Sequence, residues 1–513
     1  MEQKAMRNRT AAMPRSPGFR QAGAMLLVSL LICAVWFSIV CSANIRCDTD
    51  RMLYSPGTAL NQYQRENRSG LAFLLNLFTA NGWDPVLNGA LFLLFFLLSC
   101  WILWFCLFRF TEGKWKPAWY LLFVLLYGTS PVWAFQFYFS LQSAPVGFGI
   151  MLAAACAGAD ARTHTGEKIR TPFLALWELA GLACTCFLTV IYQSLIIYYM
   201  AAALTLFICR TVHGAECRIS RILLWAARIV LSLAVYAVVT RYAPGGQSRY
   251  LASQIRWGSQ PLTVCLSNIA VEFGKTLFMI HSSHFSLYLP GIVLLGVFLA
   301  RRKRQGQDKQ WKWLLPAGIG LVLLPMAMSV FQGSRPVPRT QFALQIAAAF
   351  PVVLYAAESG GRHRALRVLC IAAVIVQAAL VVRLGYTDDR RNREDVDAAA
   401  RITEDLREQG LDGRPLVFIG TLPFRDESLL TEKTDVFGLS LFEWSYDPEK
   451  PFSATSGAVR LISAATGGEY KGGNYKKNPA VITETAGTMP CYPEEGYIRA
   501  AEEYVLVKLS EAE

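Results

Sequence analysis

The sequence predicts an α-helical polytopic membrane protein of about eleven transmembrane helices, with a small C-terminal α/β domain outside the bilayer. Three observations carry this expectation. Apolar runs of roughly 17–25 residues, long enough to cross a hydrocarbon core of about 30 Å, recur through the first three quarters of the 513-residue chain. Charged residues are only 17% of the chain, against about 25% in a soluble domain, and the mean hydropathy is +0.32. The charge also divides. Residues 1–383 hold 35 Lys and Arg against 13 Asp and Glu, a balance of +22, whereas 384–513 hold 15 against 24, a balance of −9. A soluble enzyme, a disordered chain and a collagen-like chain are thereby excluded.

Residues 1–21 form a basic cytoplasmic segment, in which Lys4, Arg7, Arg9, Arg15 and Arg20 face only Glu2. By the positive-inside rule this keeps the N-terminus in the cytoplasm. The first span, 22–41, is longer than the apolar core of a signal peptide and reads as an uncleaved anchor. Further spans are expected at 86–108, 119–137, 141–157, 172–190, 192–209, 222–240, 285–300, 313–331, 341–357 and 366–383. Alternate connections carry the basic clusters: Arg109, Lys114 and Lys116; Arg162, Lys168 and Arg170; Arg210, Arg218 and Arg221; Arg301 to Arg304; Arg362, Arg364 and Arg367. All five fall on the side of the N-terminus. The positive excess therefore sets orientation, and no basic face of nucleic-acid dimensions exists.

The membrane domain thus covers 22–383, with outer loops at 42–85 and 241–284, and residues 384–513 form the extracytoplasmic domain. The apolar stretch 71–80 is too short to cross and is expected at the interface or as a re-entrant segment. In the tail, a helix-period segment at 395–409, an apolar strand at 416–419, an apolar segment at 436–442 and a terminal strand at 505–509 suggest a folded α/β unit. Most cysteines lie in apolar runs and act as small hydrophobes. Cys47 and Cys491 both fall outside, which allows a disulfide between them.

Chemistry on the outer face must draw its carboxylate from Asp48, Asp50, Glu66, Asp84, Glu272 or the tail. Asp48 and Asp50 follow the first span, flanked by Arg46 and Arg51. A carboxylate at the lipid–water boundary accepts a proton from an attacking hydroxyl, and arginine matches phosphate oxygens by paired hydrogen bonds. The bland alternative is a solvated loop that anchors a helix end. Arg65, Arg68, Arg335 and Arg339 also stand outside, against the usual charge bias, where an anionic lipid carrier or anionic headgroups would hold them. Tyr192 and Gln193 sit at a tight outer turn, as sugar contacts or as satisfiers of a helix end. His281 and His284 lack a third metal ligand and read as surface histidines. No phosphate-cradling glycine loop, Walker motif or nucleophile elbow is present.

Several segments resemble one family. The run Phe-Leu-Thr-Val-Ile-Tyr-Gln-Ser-Leu-Ile at 187–196 is similar to its apolar stretch with an embedded Tyr-Gln. Residues 395–420, ending Pro-Leu-Val-Phe-Ile-Gly, resemble the start of its outer domain. Phe-Gly-Leu-Ser-Leu-Phe-Glu-Trp at 437–444, Met-Pro-Cys-Tyr-Pro-Glu-Glu-Gly at 489–496 and residues 504–510 add to the likeness. The family is that of bacterial multi-pass glucosyltransferases of the Gtr type II kind, which decorate surface polysaccharide such as O-antigen. The resemblance implies a C-type glycosyltransferase fold in the plasma membrane, a hexose donor on a polyprenyl-phosphate carrier, a surface-glycan acceptor and inversion at the anomeric carbon. It also implies an acidic general base in the first outer loop, a role that falls on Asp48 or Asp50, with Asp48 favoured. Arg51, Arg65, Arg68, Arg335 and Arg339 are then the donor-phosphate candidates, and Tyr192 and Gln193 the sugar or acceptor contacts. Where the family often shows Gly-Arg-Trp, this chain reads Asn67-Arg68-Ser69-Gly70, so Arg68 is the nearest match. No cofactor is required, although a divalent cation at the Asp48/Asp50 pair is conceivable. A transporter or flippase of a lipid-linked sugar, and a surface-polysaccharide polymerase or ligase, are the alternatives.

Overall fold

The computed structural model describes residues 17–54, 56–79, 84–163, 171–242, 253–278, 286–306, 308–360, 363–424, 436–475 and 479–511. Among them, nine helices are long and apolar enough to cross a membrane. They fall on nine of the eleven expected spans. The other two, α13 and α16 below, are 17 and 15 residues long, so length alone does not establish a count of eleven.

The chain opens with α1 (Phe19–Val40), followed by the short α2 (Thr49–Tyr54), α3 (Pro56–Arg65) and α4 (Ser69–Phe78). Next come α5 (Pro85–Phe110), α6 (Pro117–Gly128), α7 (Ala134–Tyr138), α8 (Ser140–Thr163), α9 (Thr171–Ile191), α10 (Leu195–Val212) and α11 (Ile219–Tyr242). The last membrane elements are α12 (Leu262–Phe278), α13 (Tyr288–Arg304), α14 (Asp308–Leu323), α15 (Ala327–Gln332), α16 (Leu344–Glu358) and α17 (Arg364–Glu408). Start signals are local. Asp84 caps α5 by accepting from Leu87 N at 2.6 Å, with Pro85 in the first turn, where a missing N–H costs nothing.

Lipid gives no hydrophobic driving force between helices, so close packing and hydrogen bonds must join them. Small residues let backbones approach: a Cβ on Gly147 of α8 would meet Phe92 of α5 at 2.4 Å. Aromatic rings fill the centre. Trp36 stacks on Phe137 at 4.4 Å, and its indole N–H donates to Gly128 O at 2.8 Å. The outward residues Leu26, Leu30, Leu223 and Val230 are exposed, as a hydrocarbon solvent permits.

The stretch 71–80 lies largely in α4, which is too short to cross and rests against the end of α9. Gly70 is buried there, and a Cβ on it would meet Val190 at 2.8 Å. Further on, the expected span at 366–383 and the expected helix at 395–409 are one continuous helix, α17. Its polar middle is not a linker, because Thr387, Asp388, Arg391 and Asp395 are all buried.

After α17 come β1 (Leu416–Ile419), α18 (Thr455–Thr466), α19 (Pro479–Gly487), β2 (Ile498–Ala500) and β3 (Val505–Lys508). The sheet order is β1-β3-β2, with β3 parallel to β1 and antiparallel to β2. Residues 436–442 form a buried turn segment instead of a strand. It seats Phe437 against Phe135 and Tyr138, each at 5.3 Å between ring centres. All 13 cysteines are free thiols, so Cys47 and Cys491 are not bridged.

A chain of buried charges joins these parts. Arg46 donates to Asp388 at 2.8 Å. Arg391 donates to Asp388 at 3.1 Å, to Asp395 at 2.7 Å and to Ile45 O at 2.8 Å. Asp395 then accepts from Ser440 Oγ at 2.6 Å and Leu441 N at 3.0 Å. Removing one member strands the rest. Arg391→Met is expected to cost about 3–5 kcal/mol, read as a large fall in Tm in detergent. Asp388→Asn and Asp395→Asn added to it should recover part of that loss. An unchanged Tm in the single variant would show the network to be dispensable.

Candidate active site in the first loop

Above α1 the chain turns tightly over residues 41–48. Arg46 N donates to Thr49 Oγ1 at 2.6 Å, and Asp48 takes a left-handed backbone conformation with φ of +69°. Aspartate tolerates that region better than most residues. Asp48 and Asp50 consequently have different surroundings.

Asp50 is buried and ion-paired with Arg460 of α18 at 2.7 Å. Its carboxylate pins the tail domain to the loop. Asp48, half-buried, has the Tyr63 hydroxyl donating to Oδ2 at 3.5 Å and the Cys47 thiol 3.9 Å from Oδ1. Burial pushes its carboxyl above the ordinary range. Arg51 pulls it back down, Asp50 and Glu66 push it up again, and Arg339 lowers it. Burial likewise raises the Cys47 thiol and the Tyr63 phenol well above their usual values, which keeps both neutral beside Asp48.

The arginines sort by what they touch. Arg51 donates to Gln62, Gln62 donates to Glu66 at 2.7 Å, and Glu66 pairs with Arg68 at 3.3 Å. Arg68 stands 4.8 Å above the Tyr192 ring and donates to Gln142 at 3.5 Å. Arg339 lies 4.4 Å over the Phe139 ring. Asp48, Asp50, Arg51, Arg68, Arg339 and Tyr192 therefore share one region. Arg65 and Arg335 are exposed. Gln193 donates to the Tyr236 hydroxyl of α11 at 2.7 Å. His281 and His284 lie outside the described residues.

A divalent cation does not fit the Asp48/Asp50 pair. Asp50 is engaged by Arg460, and among the described residues no group of three or more His, Cys, Asp or Glu could hold a metal.

The model for the GtrII glucosyl transferases matches residues 37–356, well over half of the chain, from the end of α1 to the end of α16. The chain belongs to the GtrII glucosyl transferase family. It is a glucosyltransferase, and its apolar helices make it a membrane protein. No curated protein and no solved structure matches it. The GtrII match includes the whole first loop and Arg339, whereas α17 and the sheet lie beyond it.

Sequence reasoning missed several neighbours of this site. Arg46 was read only as a flank of Asp48, yet it is a buried anchor. Arg460 was not singled out, because nothing in the sequence links it to Asp50, 410 residues away. Gln136 on α7 is fully buried, and neither of its amide atoms has a hydrogen-bond partner among the described residues; nor does the Tyr138 hydroxyl. The available signal was a glutamine within an apolar run, since buried amides are costly unless paired.

The Asp50–Arg460 pair is partly shielded, so breaking it should cost about 1–3 kcal/mol. A double-mutant cycle with Asp50→Asn and Arg460→Gln, read by Tm, is expected to give a coupling of that size. Strictly additive losses would mean the two side chains do not hold the domain.

Proposed function

We propose that this glucosyltransferase moves a hexose from a polyprenyl-phosphate carrier to a surface glycan on the outer membrane face, with Asp48 as general base. The observation that carries the reading is the difference between two neighbouring carboxylates. Asp50 is consumed by an ion pair with Arg460, whereas Asp48 has neutral hydrogen-bond contacts and a raised pKa. A base must hold its proton well enough to remove one from a hydroxyl, and burial supplies that property here.

In the proposed step the acceptor hydroxyl oxygen attacks the anomeric carbon, and Asp48 takes the hydroxyl proton. The bond from that carbon to the carrier's phosphate oxygen breaks, and the phosphate keeps the electron pair. It leaves already anionic, so it needs fixed positive charge and no acid. Arg68 and Arg339, held by stacking on Tyr192 and Phe139, would supply that charge, with Arg51 tuning Asp48. One displacement inverts the anomeric centre. Gln136 and Tyr138 are candidate sugar contacts, because a hydroxyl-rich ligand would pair their buried polar atoms.

The positive-inside bias and the odd number of expected spans support an extracytoplasmic first loop and tail in a bacterial plasma membrane. The domain limits 22–383 and 384–513 belong to the same reading.

The test is hexosyl transfer from synthetic polyprenyl-phosphate glucose in membranes with matched protein levels. Asp48→Asn should lower the rate by about 10²–10⁴-fold while donor binding is retained. Full transfer by this variant would remove the mechanism. Transfer should also fall as pH drops through the raised pKa of Asp48, because protonation disables the base. Arg51→Gln removes a charge that lowers that pKa, so its acid limb should move to higher pH. Because the native state holds the Asp48 proton more tightly than the unfolded chain, ionisation costs stability as pH rises. Asp48→Asn should therefore leave Tm at neutral pH unchanged or higher.

A further inference from the structure

At the membrane face that carries the basic loops, a cavity of about 250 Å³ separates α11 from α14. Helix α11 packs on α9 and α14 packs on α10, so the gap between them is left over from two separate pairings. Its walls are Leu204 and Phe207 of α10, Ile222 and Trp225 of α11, and Trp313 and Gly320 of α14. The residues flanking it on the outer surfaces, Leu223, Leu224, Ile319 and Leu323, are exposed and apolar. The cavity is thus flanked by exposed apolar side chains of two candidate spans.

Two charged residues line it. Asp160 is neutralised by an ion pair with Arg228 and by the Trp177 indole N–H, which donates at 2.9 Å. Lys312 lines the cavity from the second turn of α14, its Nζ 5.4 Å from the Trp313 ring centre. Arg221 occupies the first turn of α11, next to Ile222 and on the same helix face as Trp225. Its Nη1 is buried and has no hydrogen-bond partner among the described residues. Seven residues separate Arg221 from Arg228, about 10 Å along the helix. The site is an apolar slot whose lining includes the cation Lys312 and an acid already neutralised by Arg228, with Arg221 adjoining it beside Ile222.

We infer that this slot binds an anionic phospholipid of the adjoining leaflet, one acyl chain between α11 and α14 and the phosphate between Arg221 and Lys312. Headgroup charge selects the lipid, since a basic site attracts anionic headgroups and offers a zwitterionic one much less. The bound chain would fill the gap between α11 and α14, two helices already linked through α10 by the Trp225–Tyr199 hydrogen bond. This inference is independent of the proposed transfer chemistry at Asp48.

The experiment is native mass spectrometry of the full chain in detergent, titrated with dioleoyl phosphatidylglycerol, dioleoyl phosphatidylcholine or a short polyprenyl phosphate. Wild type should retain one phosphatidylglycerol at least tenfold more tightly than phosphatidylcholine. Arg221→Gln with Lys312→Gln should abolish that preference. Ala203→Phe, which fills the slot, should weaken both phospholipids, and Arg301→Gln with Arg304→Gln should change nothing. If Ala203→Phe does not fold, Gly320→Leu fills the slot from the opposite wall. Equal binding of the two phospholipids by wild type, or an unchanged preference in the Arg221/Lys312 variant, would overturn the inference. Tighter retention of polyprenyl phosphate than of phosphatidylglycerol would also overturn it. Because the readout is binding alone, its failure leaves the glucosyl-transfer reading intact, and loss of transfer leaves this one intact.

Discussion

Everything at the candidate active site hangs on Arg391. Its guanidinium is essentially inaccessible, at 1% exposure, and it meets the loop after α1 through Ile45 O, its own helix through Asp388 and Asp395, and through Asp395 the segment that bears Phe437. A buried cation with anionic and carbonyl partners on two segments, and a third joined through Asp395, permits few arrangements. Arg46, sharing Asp388, fixes the loop two residues before Asp48. The network thus sets where Asp48, the proposed base, stands, although none of its members is proposed to touch substrate.

Asp48 is useful because the network stops short of it. Were it paired as Asp50 is, its carboxylate would be stabilised and a poor base. Asp50 takes Arg460, and Cys47 and Tyr63 contact Asp48 with groups that stay neutral. Burial raises its proton affinity, and Arg51 and Arg339 moderate the rise. The same arginine-rich surroundings suit a departing phosphate. In the proposed transfer, base activation and leaving-group stabilisation would draw on one arrangement of charge.

The opposite face uses charge differently. Asp160, Arg228 and Glu178 form a buried cluster among α8, α9 and α11, with Tyr199 donating to Asp160. Charges inside a bilayer persist when paired, and here pairing neutralises an acid in the wall of an apolar slot. Lys312 lines that slot and Arg221 adjoins it, where the inferred lipid headgroup would supply counter-charge. Glu358 gathers Trp115, His213 and Arg302 nearby at 2.7–3.1 Å, which ties the ends of α13 and α16 to the loops around them.

Hydropathy, loop charge and strand patterning belong to the sequence by itself. They determined the membrane class, the positions of the long spans, the strands around 416 and 505, and the set of candidate carboxylates and arginines. These properties follow from the solvent each segment meets, and solvent preference is written residue by residue. What only the tertiary structure decided was pairing. Asp48 and Asp50 are near-equivalents in sequence, and Arg460 separates them from across the chain. The polar middle of α17 lies where the sequence puts a domain boundary, yet Arg46 and Arg391 pair with its buried acids. Gln193 looks like a partner of Tyr192 until Tyr236 takes it. In each case the deciding contact joins residues far apart along the chain. Local pattern has no means to record such a contact, because burial and charge compensation exist only once distant segments have met.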